Sequence, residues 1–310
     1  MKKLAILILS LMLSGCNSSQ EPQTKTTNPV ELEKMVQSAG LVEKTTTIDG
    51  FKIFYHEGGK GENILLIHGF GGFKEMWTVF AKSLTPTYHV IIIDLPGHGK
   101  SSKWLGKSYR IEMQVKRLKE FVSALELGQF HIVGNSMGGI IAGEYAAIYP
   151  EQVLSLALFS TGGIPSAEKS EFWKFLQQGE NILIPETREE YNKMLEYIFV
   201  ELPVLSESLW EAYFKKTIAD VDIKKKISYH VAVTGSPLRL EAKLQDITSP
   251  TLILWGDKDR IHDISSTKIL EKGLSNSTTI IIKNMGHCPM MERPEETAGY
   301  YMEFLQGISS

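Results

Sequence analysis

His131-Ile132-Val133-Gly134-Asn135-Ser136-Met137-Gly138-Gly139 is the stretch that decides the fold. An apolar run enters G-N-S-M-G, and Gly139-Ile140-Ile141-Ala142-Gly143-Glu144-Tyr145-Ala146-Ala147 continues at helical spacing. Strand, sharp turn and helix around a serine make a nucleophile elbow of the G-x-S-x-G type. A serine in so tight a turn has a strained backbone, and side chains beside it would collide with the strand and the helix. Gly134 and Gly138 remove those side chains. The turn lifts the Ser136 hydroxyl above the sheet edge, at a helix N-terminus whose free N–H groups favour negative charge.

The 310 residues suffice for one large α/β domain with an insertion, or for two domains. Apolar residues make up 43%, ordinary for a chain with a sizeable core. A net charge of −3 gives no sign of nucleic-acid binding. Eight histidines are present, yet H-E-x-x-H and paired-cysteine spacings are both missing, so no metal site of the zinc type is expected.

The first residues read as a targeting signal. Lys2 and Lys3 precede an apolar run, Leu4 to Leu13, too short to span a bilayer as a helix. Leu13-Ser14-Gly15-Cys16 then resembles a bacterial lipobox. The expectation is a signal peptide over 1–15, acylation of Cys16, and a tether over 16–40 that is rich in Ser, Thr, Gln, Asn and Pro from Asn17 to Pro29 and ends in a short helix at Glu31 to Ala39. Acyl chains on Cys16 would hold the protein to a membrane surface in the cell envelope. Cys288 would then be a lone packed thiol.

Core and insertion follow in order. Lys44 to Ile48 and Phe51 to His56 read as strands joined at Asp49-Gly50, a hairpin turn. Asn63 to Ile67 is a buried strand that runs into His68-Gly69-Phe70-Gly71-Gly72, a loop whose spacing fails the dinucleotide fingerprint. Gly99-Lys100-Ser101 imitates the end of a phosphate-binding loop, but Asp94 stands where its first glycine belongs. Ile111, Val115, Leu118, Val122 and Leu125 mark a helix, and Gln152 to Phe159 a further strand. The first part of the core thus spans 41–160. Residues 161–244 carry helical stripes without regular strands, which reads as a helical cap. Its aromatics would line a pocket or pack the cap onto the core, and Lys224-Lys225-Lys226 would be a solvated face. The second part of the core, 245–310, returns to strands at Thr251 to Trp255 and Thr278 to Ile282, with helices after each.

A serine, an acid after one strand and a histidine after the next stand in the order Ser…Asp…His. Loops that follow parallel strands gather at one sheet edge, so three distant residues can meet there. His287 would take the Ser136 proton, and the acid would orient the imidazole. Asp257, Asp259 and Asp263 all lie near the strand end, and spacing alone leaves the acid open.

H-G-F-G-G-F-K-E-M-W at 68–77, G-N-S-M-G-G at 134–139, W-G-D-K-D at 255–259 and G-H-C-P-M-M-E-R-P at 286–294 together carry a resemblance. From Asn63 to the C-terminus the chain resembles α/β-hydrolase-fold lipases and esterases, most of all the Moraxella-type lipases and monoacylglycerol lipases. The resemblance implies an α/β-hydrolase fold, a mostly parallel sheet with helices on both faces, and hydrolysis of acylglycerols or other lipid esters without a cofactor. It implies Asp259 as the acid, the fourth residue of G-x-x-D, and the N–H groups of Phe70 and Met137 as oxyanion donors. Two rivals remain: a C–C bond hydrolase with the same three residues, and a surface lipoprotein without activity on a hydrolase scaffold.

Overall fold

The computed structural model describes residues 29–232 and 240–308. Cys16 and its lipobox lie outside the described residues. Strands are β1 (Leu41–Ile48), β2 (Phe51–Gly58), β3 (Asn63–Ile67), β4 (His89–Ile93), β5 (Phe130–Asn135), β6 (Val153–Phe159), β7 (Thr251–Gly256) and β8 (Ser277–Ile282). They form one sheet in the order β1-β2-β4-β3-β5-β6-β7-β8. The first two pairings, β1 with β2 and β2 with β4, are antiparallel, and all the others are parallel. At the hairpin tip both Asp49 (φ 46°) and Gly50 (φ 76°) are left-handed, the backbone that a two-residue turn between right-twisted strands requires.

Central strands are apolar throughout because both sheet faces are covered. Leu65, Ile67, Ile91, Ile93, Ile132, Ile253 and Trp255 belong to one buried cluster. Their alternates Ile64, Leu66, Val90, Ile92, Val133, Leu252 and Leu254 belong to the other. Each such side chain, fully buried, stabilises the fold by about 1.5–3 kcal/mol.

The helices are α1 (Pro29–Ser38), α2 (Thr78–Leu84), α3 (Ile111–Ala124), α4 (Met137–Ile148), α5 (Glu171–Gln177), α6 (Arg188–Ile198), α7 (Glu207–Ile218), α8 (Val221–Ala232), α9 (Ser266–Gly273), α10 (Pro289–Glu292) and α11 (Pro294–Ile308). Buried Ile111, Val115, Leu118 and Val122 seat α3 on one face of the sheet, as their helical spacing requires. Helix α4 is apolar nearly all round and buried from Met137 to Ala146, and its one carboxylate, Glu144, meets Lys243 Nζ at 3.0 Å. No described helix is long and apolar enough to cross a membrane.

Helices α5 to α8 fill the connection between β6 and β7. Tyr191, Met194, Leu195, Leu209 and Tyr213 turn inward from α6 and α7, which accounts for those stripes. One expectation fails here. Lys224-Lys225-Lys226 is not a uniformly solvated face: Lys224 is buried, its Nζ donates to the Thr217 carbonyl, and burial lowers its pKa to about 8. Helical periodicity turns the first lysine of the run inward, while Lys225 stays outside with Glu186 (2.6 Å).

A buried ion network joins these layers. Lys74 Nζ lies 3.0 Å from Glu43, 3.0 Å from Glu75 and 3.1 Å from Asp94. Glu75 also takes Lys216 of α7 at 2.8 Å, and its carbonyl accepts from the Tyr213 hydroxyl at 3.1 Å. Glu43, His56 and Glu75 have metal-ligand spacing, but the Lys74 ammonium already supplies the cation there. Burial pushes the Glu75 carboxyl up, and the Lys216 and Lys74 ammonium groups outweigh it and hold it below the usual range. A carboxyl depressed in the folded state contributes stability above its unfolded value, near pH ~4.3, that is lost as pH falls through the folded one. Urea unfolding of Glu75→Gln should therefore show lower stability than the parent at neutral pH and a smaller loss below about pH 4.3. Parallel pH profiles would contradict this account of the network.

Candidate active site

Ser136 sits between β5 and α4 with φ 56° and ψ −119°, a backbone that a side-chain-bearing residue adopts only under constraint. Its N–H donates to Phe159 O (3.0 Å), and its carbonyl accepts from Gly139 N (3.0 Å) and Gly162 N (3.1 Å). The glycines are required by contact. A Cβ on Gly134 would lie 2.2 Å from Gly138 O, and one on Gly138 would lie 2.4 Å from Ile67 O. The loop after β3 lies against the elbow, since a Cβ on Gly69 would stand 3.0 Å from Ser136 Cβ. Phe70 and Met137, the expected oxyanion donors, both line the same cavity as Ser136.

His287 follows β8, and its Nδ1 lies 2.9 Å from Asp259 Oδ2. Asp259 is fully buried, and its Oδ1 accepts from Ile261 N (2.8 Å) and His262 N (3.0 Å). Burial raises the Asp259 carboxyl, but the His287 imidazole and the His262 donor outweigh it and keep the pKa below the ordinary value. The other two acids are engaged elsewhere. Asp257 caps Asn284 N (2.7 Å), and Asp263 caps Ser265 N (2.9 Å) at the start of α9. Among the described residues, Asp259 is the carboxylate that pairs with His287.

No hydrogen bond joins the Ser136 hydroxyl to His287 among the described residues. Two short links hold their loops together. Asn135 Nδ2 donates to His287 O (3.1 Å) and to Phe159 O (3.1 Å). On the other side, Gly162 touches Ser136 O, a Cβ on Gly162 would lie 3.2 Å from His262 Nε2, and the His262 ring is 5.2 Å from that of His287. Serine and histidine of such a pair often close only when substrate arrives.

A cavity of about 430 Å³ opens from Ser136. Ile111, Ile140, Ile164, Leu176, Leu183 and Val231 make its wall apolar, and His262 is among its polar groups. A smaller cavity of about 60 Å³ shares Phe70 and Leu183 with it and runs toward Tyr191, Trp210 and Tyr213. Burial and the neighbouring His287 lower the His262 pKa to about 4, so this imidazole is neutral at neutral pH.

The profile of the alpha/beta hydrolase fold family matches residues 62–294. The chain belongs to the α/β-hydrolase family. Lipase 1 of Psychrobacter immobilis is 34% identical to this hydrolase over 301 residues, 96% of this chain and 94% of its own length. Monoacylglycerol lipase ABHD6 of Homo sapiens is 34% identical over 262 residues, 81% of this chain and 77% of that protein. Among solved structures, a membrane phospholipase A described as a bacterial virulence factor superposes with a TM-score of 0.87 at 41% identity, covering 91% of this chain and 92% of that one.

Three side chains around the site of this hydrolase were not read from sequence. Asn135, the variable residue of the elbow, is fully used, with its Oδ1 taking Cys288 Sγ at 3.7 Å. Cys288 is buried, which raises its thiol pKa, in keeping with a packed thiol. Glu292 accepts from Gly286 N (3.0 Å), Val200 N (3.2 Å) and Glu201 N (3.1 Å), which ties the His287 loop to the end of α6. His262 stands three residues beyond Asp259 without a motif to signal it. Asn135→Ala leaves the Phe159 and His287 carbonyls without these donors, a cost of about 1–3 kcal/mol. Urea unfolding should show that loss, and ester turnover should fall with it. Unchanged stability and turnover would remove Asn135 from this account.

Proposed function

We propose that this carboxylic ester hydrolase works through Ser136, His287 and Asp259 by a two-step acyl transfer on lipid esters. The pairing of His287 with a fully buried, backbone-held Asp259 beside the strained serine is the observation that carries the reading. His287 Nε2 takes the Ser136 proton as the oxygen attacks the ester carbonyl. Asp259 keeps the proton of the neutral ring on Nδ1 and stabilises the imidazolium that forms. The negative oxygen of the tetrahedral intermediate accepts from the N–H groups of Phe70 and Met137, the latter at the N-terminus of α4. Each such donor contributes about 3–4 kcal/mol to the transition state. The imidazolium returns its proton to the departing alcohol, and water activated by His287 then releases the acid.

An apolar cavity of about 430 Å³ suits an acyl chain, and helices α5 to α8 serve as the cap over it. The kinship with lipases and a membrane phospholipase A supports a lipid substrate and a place in the bacterial cell envelope. Acylation of Cys16 would supply the membrane attachment.

Asp259→Asn should lower kcat on a soluble ester by about 10⁴-fold, because the imidazole loses its tautomer. Asp257→Asn should change it by no more than a few-fold. The opposite ranking would overturn the assignment of the acid. A series of esters with acyl chains from acetyl to palmitoyl, beside Ser136→Ala as blank, tests the substrate class. Turnover of medium and long chains, including monoacylglycerol, is expected. Activity confined to acetyl esters would leave an esterase and remove the lipase.

A further inference from the structure

Apart from the catalytic cavity, a second concave surface of about 470 Å³ lies where the loop before α3 meets α8. Lys107, Arg110 and Lys226 line it, with one carboxylate, Glu112, in its wall. The chain as a whole carries −3, so this basic surface is a local feature. Asp49 lies at its edge, 3.0 Å from Lys107 and 2.9 Å from Arg117.

Trp104 and Leu105 stand at the tip of the loop beside it, 52% and 58% exposed. They are held outward by a buried residue. The Tyr109 hydroxyl accepts from Trp104 N (2.8 Å) and donates to Trp104 O (3.1 Å), and Lys107 N closes the turn on the same carbonyl (3.0 Å). Tyr109 N in turn donates to His230 Nδ1 on α8 (2.9 Å), and Lys226 Nζ donates to the Leu105 carbonyl. An apolar tip pinned this way loses hydrophobic stabilisation unless something covers it.

We propose that the Trp104–Leu105 tip and the cations beside it dock on an anionic lipid surface. Indole and leucine enter the headgroup boundary, and Lys107, Arg110 and Lys226 face the phosphates. Charge complementarity selects this occupant over an uncharged apolar partner. The position supports the same choice. Helix α8 turns Lys226 and His230 to the basic surface and Ser228 and Val231 to the catalytic cavity. The two are separated by the thickness of one helix, about 10 Å. Docking there brings a bilayer to the flank of the site and rests on the lipid-ester reading above.

Quenching of tryptophan fluorescence by lipids brominated in their acyl chains tests this on the full chain. Phosphatidylglycerol-rich vesicles are compared with phosphatidylcholine vesicles. The chain has five tryptophans, so the difference between the parent and Trp104→Phe isolates the signal of Trp104 and reports docking of the tip however else the chain is attached. Quenching in anionic vesicles should be clearly stronger for the parent than for Trp104→Phe. In Lys107→Glu/Arg110→Glu the lipid concentration needed should rise at least tenfold, from about a fivefold loss per removed cation. Leu105→Asp gives a second disruption of the tip, and turnover of a water-soluble short ester checks that each variant is folded. Equal quenching of parent and Trp104→Phe would overturn the proposal, as would equal quenching in the two vesicle types. A parent that docks yet leaves the soluble ester intact would instead count against the catalytic reading alone.

Discussion

The backbone at Ser136 is the constraint on which the rest of the structure depends. A residue with φ 56° and ψ −119° stores strain, and only a crowded surrounding can hold it. Gly134 and Gly138 let β5, α4 and the loop after β3 close on it to distances that no side chain would allow. The parallel sheet supplies the remaining order. Because β5, β7 and β8 run the same way, Ser136, Asp259 and His287 leave them at one edge. Their separation in sequence is cancelled by topology.

Around that edge, polar groups are placed by backbone donors more than by other charges. Asp259 is held by two N–H groups, and Glu292 by three. Carboxylates held in this way keep a single orientation while buried; Asp259 passes it to the imidazole directly, and Glu292 fixes the loop that carries His287. The Lys74 network does a related task one layer below. It fixes the turn after the Phe70 loop to β4 through Asp94 and to α7 through Glu75 and Lys216, so core and helical segment share one set of charges.

Much of this was legible in the sequence, for definite reasons. The elbow, the strands and the order of serine, acid and histidine rest on local patterns: glycine at contact positions, runs of five or six apolar residues, and loops after them. Asp259 was separated from Asp257 by resemblance, and the structure adds the physical distinction: one caps Asn284, and the other faces the imidazole. What stayed hidden depends on tertiary contact. Asn135 looks like filler in a motif, and only folding brings the His287 carbonyl within 3.1 Å of it. The lysine run at 224–226 looks solvated because composition does not say which way a helix is turned. His262 acquires its neutral state from a neighbouring ring and from burial.

The central claim is that Ser136 becomes covalently acylated with His287 as its base. Rapid quenching of a reaction with a slow-leaving ester, followed by mass analysis of the peptide that carries Ser136, measures this directly. The account predicts an acyl adduct on Ser136 that forms before steady turnover and is lost in His287→Ala. Full turnover with no adduct on that serine, or turnover that survives Ser136→Ala, would contradict it.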